Sequence, residues 1–250
     1  MGLLGRGLGL VLRTPRLLGL GLLPALITGI LYAGALIALI AYLPQLSHLV
    51  TPFADGWAAG LRETVRVLAG LALLGVAGLL GVLTFTAVTL LIGDPFYERI
   101  SELVEDRFGG VADAVDVPLW RSLLRSLVDS LRLIALSIVF GVPLFALGFV
   151  PVVGQTVAPV LGGAVGGWLL AVELTGAPFQ RRGRRLRDRR QALRAHRPLA
   201  LGFGVAVFVC FLIPLGAILL MPAAVAGATL LARRTLGRPI DIVTIAADLG

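Results

Sequence analysis

Four long stretches of the chain carry no charge: residues 17–54, 67–93, 133–172 and 198–232. Every acidic or basic side chain lies between them or at the ends. The cores 17–43 and 67–93 would each form a helix of roughly 40 Å, against a hydrocarbon core of ~30 Å. Both are predicted to span a bilayer, with Pro24 as a kink and Pro44 as the terminator of the first. Phe53 and Trp57, in the short charged link that follows, suit an interfacial belt.

The other two stretches are broken. Residues 133–172 are interrupted at Val150-Pro151-Val152-Val153-Gly154-Gln155, and residues 199–232 at Ile213-Pro214 and again at Met221-Pro222. Each reads as a hairpin of two short helices, with turns at Pro151, Gly154 and Gln155 and at Pro214 and Pro222. Arms of roughly 22–27 Å fall short of the hydrocarbon core, which favours wedges that enter and return over full crossings.

Two further segments are amphipathic. In 95–108, Phe96, Ile100, Leu103, Val104 and Phe108 share one face, and Glu98, Arg99, Glu102, Glu105 and Asp106 lie elsewhere. Asp94 suits an N-cap, Pro95 a first helical residue and Gly109-Gly110 a stop. In 119–132, Trp120, Leu123, Leu124, Leu127, Val128 and Leu131 form a stripe opposite Arg121, Arg125, Asp129 and Arg132. Both are expected to lie on the membrane surface or to dock on their own bundle. The fold class is thus all-α and membrane-embedded, as a single domain over 1–250.

Composition strengthens this reading. Of 250 residues, 58% are apolar and only 14% charged, where a soluble domain carries about 25% charged residues. Mean hydropathy is +0.96. So few charges cannot cover a water-facing surface, whereas lipid requires no such cover. The retained length of the first apolar stretch also sets it apart from a signal peptide, whose apolar region runs ~7–15 residues.

Net charge is +8, and all the basic residues are arginine. The arginines flank the apolar stretches, so the positive-inside rule accounts for them better than nucleic-acid binding does. Arg121, Arg125 and Arg132 precede the first hairpin, a run from Arg181 to Arg197 separates the two, and Arg233, Arg234 and Arg238 follow the second. Both ends of each hairpin, and both chain termini, are therefore expected on the cytoplasmic side.

Candidate chemistry is sparse. There is no nucleophile elbow, P-loop, HExxH or CxxC, and Gly5-Arg6-Gly7-Leu8-Gly9 lacks the spacing of a dinucleotide fingerprint. Cys210 stands alone, and His48 and His196 are far apart, so no metal site or cofactor is expected. The carboxylates of 94–116 read as an exposed helix face without an acid–base role, and no enzymatic activity is predicted. Gly162, Gly163, Gly166 and Gly167 form overlapping GxxxG spacings, which point to close helix packing. The Arg181–Arg190 run is either a topology anchor touching anionic headgroups or a vestibule that concentrates an anion. Arg13 and Arg16 flank Pro15 at the start of the first span. They either snorkel to the headgroups or meet an anion at a helix N-terminus.

Gly93-Asp94-Pro95-Phe96-Tyr97 with Leu103-Val104-Glu105 resembles a signature of the CysZ / etoposide-induced-protein family. The agreement continues in order through Val150–Gln155, Leu201-Gly202-Phe203-Gly204, Ile213-Pro214-Leu215 and Met221-Pro222-Ala223-Ala224-Val225-Ala226-Gly227-Ala228-Thr229. The resemblance implies an α-helical inner-membrane protein with two long spans and two partly penetrating hairpins. It also implies a homo-oligomer that admits sulfate for sulfur assimilation without ATP hydrolysis. In the sulfate-transporting members an arginine pair follows the opening proline; here Leu18 and Gly19 stand at those places, with Arg16 nearby. Two functions follow as expectations: a permease or channel for a small anion such as sulfate, with Arg13 and Arg16 in contact with it, or a non-transporting protein that shapes the bilayer or scaffolds partners.

Overall fold

A computed structural model describes residues 2–111, 119–213 and 215–240, with side chains for all of these except 119–127 and 129–130. The helices are α1 (Leu3–Arg13), α2 (Pro15–Val50), α3 (Ala59–Arg107), α4 (Leu119–Gly148), α5 (Val153–Leu174), α6 (Gly176–Gln180), α7 (Leu186–Ala195), α8 (Arg197–Phe211) and α9 (Gly216–Thr235). No strand occurs among the described residues. The chain packs as two compact units, Leu22–Asp94 on the one hand and Met1–Gly21 with Pro95–Gly250 on the other. The divisions fall within α2 and α3.

The unit Leu22–Asp94 holds most of the two long helices. Pro44 does not end α2, which continues to Val50. Without water to take up broken backbone bonds, an apolar helix persists through a proline more readily than a soluble one does. Several hydroxyls of this unit turn back onto their own helix: Thr28 donates to the Pro24 carbonyl at 2.8 Å, and Ser47 to the Pro44 carbonyl at 2.8 Å. The helices meet where Tyr32 shares a 2.7 Å hydrogen bond with Thr84 and sets its ring edge-on to Phe85 at 5.4 Å. In the link between the helices, Arg66 pairs with Asp55 at 2.7 Å, and Phe53 packs edge-on to Trp57.

The predicted start of a separate helix at Asp94-Pro95 is not found. α3 runs unbroken from Ala59 through Pro95 to Arg107, so the amphipathic segment is its last part. The predicted stop is present. Gly109 and Gly110 adopt φ of +92° and +67°, and the Gly110 amide donates to the Glu105 carbonyl at 2.9 Å. That bond closes the helix end in the manner of a Schellman motif. Likewise, 119–132 is not separate from the first hairpin arm, because α4 is continuous to Gly148.

In the other unit α9 is the core. Its most apolar window is 83% buried, against 6% for those of α2 and α3. α1 packs along α9, where a Cβ on Gly7 would lie 2.3 Å from the Ala223 carbonyl oxygen. Only glycine lets the two backbones approach this closely. α5 packs on α8 in the same way, and α4 on α5.

The hairpin turns differ in part from expectation. The first lies at 149–152, with Pro151 in it and Val152 at φ +67°. Gly154 and Gln155 fall in the first turn of α5, and a Cβ on Gly154 would sit 2.1 Å from the Gly148 carbonyl oxygen. At the second turn Leu212 caps the end of α8 and Leu215, at φ +61°, precedes α9; Pro214 is outside the described residues. Pro222 is not a turn residue. It lies inside α9, its ring against Gly21. With Pro159 and Pro222 absorbed, α5 and α9 have 22 and 20 residues, roughly 33 and 30 Å, longer than the predicted arms. α7 and α8 are instead bent by 105° at His196.

Candidate functional site

The anion contact predicted from the sequence sits at an elbow. α1 ends at Arg13, Thr14 is extended, and α2 begins at Pro15. Arg13 and Arg16 are both exposed there. The amides of Leu17 and Leu18 donate to the Thr14 carbonyl at 2.9 and 3.1 Å. Those two N–H groups are thus occupied within the chain, and an anion at this point is met by side chains. A third guanidinium joins them. Arg107, at the end of α3, donates to the Thr14 hydroxyl at 2.7 Å, across 93 residues of sequence. Arg107 thus reaches the elbow at Thr14, one residue from Arg13 and two from Arg16.

Below the last turn of α3 lies a buried charged cluster that the sequence reading missed. Glu105, assigned there to an exposed face, has a side chain only 1% exposed. Its carboxylate accepts from Arg182 Nη1 and Nη2 at 2.7 and 2.9 Å, and from Arg233 Nη1 at 2.6 Å. The Arg182 pair is bidentate, the geometry in which guanidinium and carboxylate interact most strongly. Arg233 also donates to the carbonyls of Pro239, Gly110 and Phe108, and its guanidinium lies 5.7 Å from the Phe108 ring centroid. It thus satisfies carbonyls at the C-terminal end of α3, where a cation also complements the helix dipole. Beside this cluster Thr229 donates to Ser101 at 3.0 Å. A signal did exist in the sequence: Glu105 follows the apolar pair Leu103-Val104 and stands one turn beyond Ser101.

The arginine run divides into two sets. Arg181, Arg182 and Arg189 turn toward the protein. Arg181 donates to the Glu98 carbonyl at 2.7 Å and pairs with Glu102 at 3.4 Å. Burial lowers its pKa from the ordinary arginine value, and Glu102, Glu105 and Glu98 oppose the shift. Arg189 is buried against Gly176, where a Cβ would meet its Nη1 at 2.7 Å. Arg187, Arg190 and Arg194 instead face a cleft of about 470 Å³. The predicted topology anchor is therefore partly a structural clamp. A second cavity, of about 300 Å³, lies in the unit Leu22–Asp94 and is lined by Ser47, His48, Glu63 and Arg66 among others.

Of the four predicted packing glycines, two meet a neighbour. A Cβ on Gly166 would meet the Phe208 ring at 2.6 Å, and one on Gly167 the Val205 amide at 2.6 Å. Gly162 and Gly163 have open space. Gly204, on the facing helix, is the missed partner; its Cβ would come within 1.9 Å of the Gly167 carbonyl oxygen. Among the described residues no group of three His, Cys, Asp or Glu side chains is placed to hold a metal.

The family described as Sulfate transporter CysZ/Etoposide-induced protein 2.4 matches residues 3–222, which covers parts of both units. The chain is 29% identical to the sulfate transporter CysZ of Pectobacterium atrosepticum over 210 residues, 83% of this chain and 75% of that protein. It is 36% identical to the sulfate transporter CysZ of Pseudomonas fluorescens over 151 residues, 59% of this chain and 60% of the relative. With the sulfate transporter CysZ of Vibrio parahaemolyticus it shares 31% identity over 147 residues, 58% and 60% of the two chains. The long apolar helices and this match agree: the chain is a multi-pass membrane protein belonging to the Sulfate transporter CysZ/Etoposide-induced protein 2.4 family.

Proposed function

We propose that the protein is a permease for a small oxyanion, sulfate in the first place, in the bacterial inner membrane. The observation that carries this reading is the arginine elbow, where Arg107 reaches Thr14 between the exposed Arg13 and Arg16. Three guanidiniums at the start of an apolar helix provide forked donors matched to sulfate oxygens. The names of the relatives support sulfate as the anion. The protein acts by binding and conducting, without covalent chemistry or a cofactor. Its termini lie in the cytoplasm, following the distribution of arginine. The two units work as one membrane domain. Copies associate, because the exposed apolar faces of α2 and α3 are available to a second chain as well as to lipid.

The test is uptake of labelled sulfate into vesicles containing the full chain. Flux above that of empty vesicles is expected. In Arg13→Gln/Arg16→Gln/Arg107→Gln it should fall roughly 100-fold at low sulfate, since each surface arginine contributes ~1 kcal/mol to anion attraction. Flux equal to that of empty vesicles rejects transport. Undiminished flux in the triple variant rejects the elbow.

A further inference from the structure

The outward-facing arginines of α7 form a second cationic feature, separate from the elbow. Arg187, Arg190 and Arg194 are spaced three and four residues apart, so they project from one stripe of the helix, with Gln191 beside them. The neighbouring stripe, Leu186, Arg189 and Leu193, is buried and fixes the rotation of α7. Across from them stands Arg132, at the point where α4 enters its apolar stretch. Together with Leu186 these residues line the cleft of about 470 Å³, a volume within the ~300–1,000 Å³ of small-ligand sites.

Among the described residues nothing balances the charge in this cleft from within. No carboxylate lines it among the described residues. Asp188 is turned away, accepting from the Arg185 amide at 3.0 Å to cap α7. Arg132 has an interaction of its own, so the α7 guanidiniums carry the charge available to a ligand. Among the described residues none of those three pairs with a carboxylate. Like charges within two turns repel each other, and a concave wall with a half-buried Arg190 raises the gain from an incoming anion. Guanidinium forks favour planar or tetrahedral oxyanions that accept two bonds at once.

We infer that the α4–α7 cleft binds a tetrahedral oxyanion, with Arg190 as its principal contact and Arg187 and Arg194 completing the site. The same chemistry comes from two sources. One is the phosphate of an acidic lipid headgroup, because Arg132 and Arg197 both stand where a helix turns apolar. The other is free sulfate. Neither depends on the elbow, with which the cleft shares no residue.

The experiment uses the full chain in an Arg13→Gln/Arg16→Gln/Arg107→Gln background, so that the elbow adds no binding. One arm measures equilibrium binding of labelled sulfate in detergent. The other measures retention of phosphatidylglycerol, by native mass spectrometry, after reconstitution in vesicles containing it. In at least one arm, Arg187→Gln/Arg190→Gln/Arg194→Gln should weaken binding roughly 100-fold, Arg190→Gln roughly five- to tenfold, and Arg184→Gln less than about twofold. A loss confined to one arm assigns the source. Arg184 is exposed and outside the cleft, so its variant removes an equal charge without touching the site. The inference is overturned if the folded triple variant binds both probes as its parent does, or if Arg184→Gln weakens binding as much as Arg190→Gln. Should the triple variant not fold, the two single variants decide alone.

Discussion

Replacing Glu105 by glutamine leaves the shape of the side chain and removes its charge. In the native cluster one carboxylate faces two guanidiniums, for a net charge of +1; in Glu105→Gln the same buried space holds +2. The three hydrogen bonds at 2.6–2.9 Å lose their ionic acceptor. Arg233 keeps its carbonyl partners, and Arg182 keeps the Pro178 carbonyl at 2.8 Å. The cost is therefore uncompensated charge more than unsatisfied donors. Removing one partner of a buried ion pair costs about 3–5 kcal/mol. Arg182 is 13% exposed and Arg233 3%, so water relieves part of the charge on Arg182 and the expected loss is near the lower end, about 3 kcal/mol. Reversible unfolding in mixed micelles, followed by circular dichroism, measures it. Glu105→Gln/Arg182→Gln returns the site to +1 and should be more stable than Glu105→Gln, although two residues have changed. A loss below about 1 kcal/mol in the single variant, or a double variant less stable than the single, would refute the uncompensated-charge account.

Three other outcomes follow from the geometry. Gly167→Ala should lose about 1–3 kcal/mol, because its Cβ meets backbone at 2.6 Å, whereas Gly162→Ala should stay within about 0.5 kcal/mol; the same unfolding measurement compares them. Gly7→Leu should push α1 off α9 and make the N-terminal segment the first target in limited proteolysis, with an unchanged cleavage pattern as the contrary result. Tyr32→Phe removes the bond to Thr84 and should cost about 0.6 kcal/mol, with ~1.7 kcal/mol as the ceiling for such bonds within a membrane, again read from unfolding in micelles.

The prolines show where local rules reach their limit. Pro44, Pro95 and Pro222 read as an end, a start and a break, yet each lies within a helix. Their effect on a helix is a local cost of ~3 kcal/mol. At Pro44 and Pro222 the surrounding helix is apolar, where unpaired backbone groups cost several kcal/mol each, and this outweighs it. At Pro151 and Gly109-Gly110 the local signals held, because there the chain leaves its helix at a positive φ. The glycine stripe was legible as a packing motif, but its two productive members depend on which face of α5 meets α8.

By itself, the sequence determined that lipid surrounds this chain, which stretches form the apolar centres of its long helices and which ends carry the cations. Those properties follow from transfer free energies that add residue by residue along a segment. Only the tertiary structure decided which arginines turn inward to Glu105, which line the α4–α7 cleft, and that Arg107 reaches the elbow at Thr14. The partners in these contacts are separated by 77 to 128 residues at Glu105 and by 93 at Thr14. Helical periodicity tells which side chains share a face, and it is silent about which face of which helix comes to meet them.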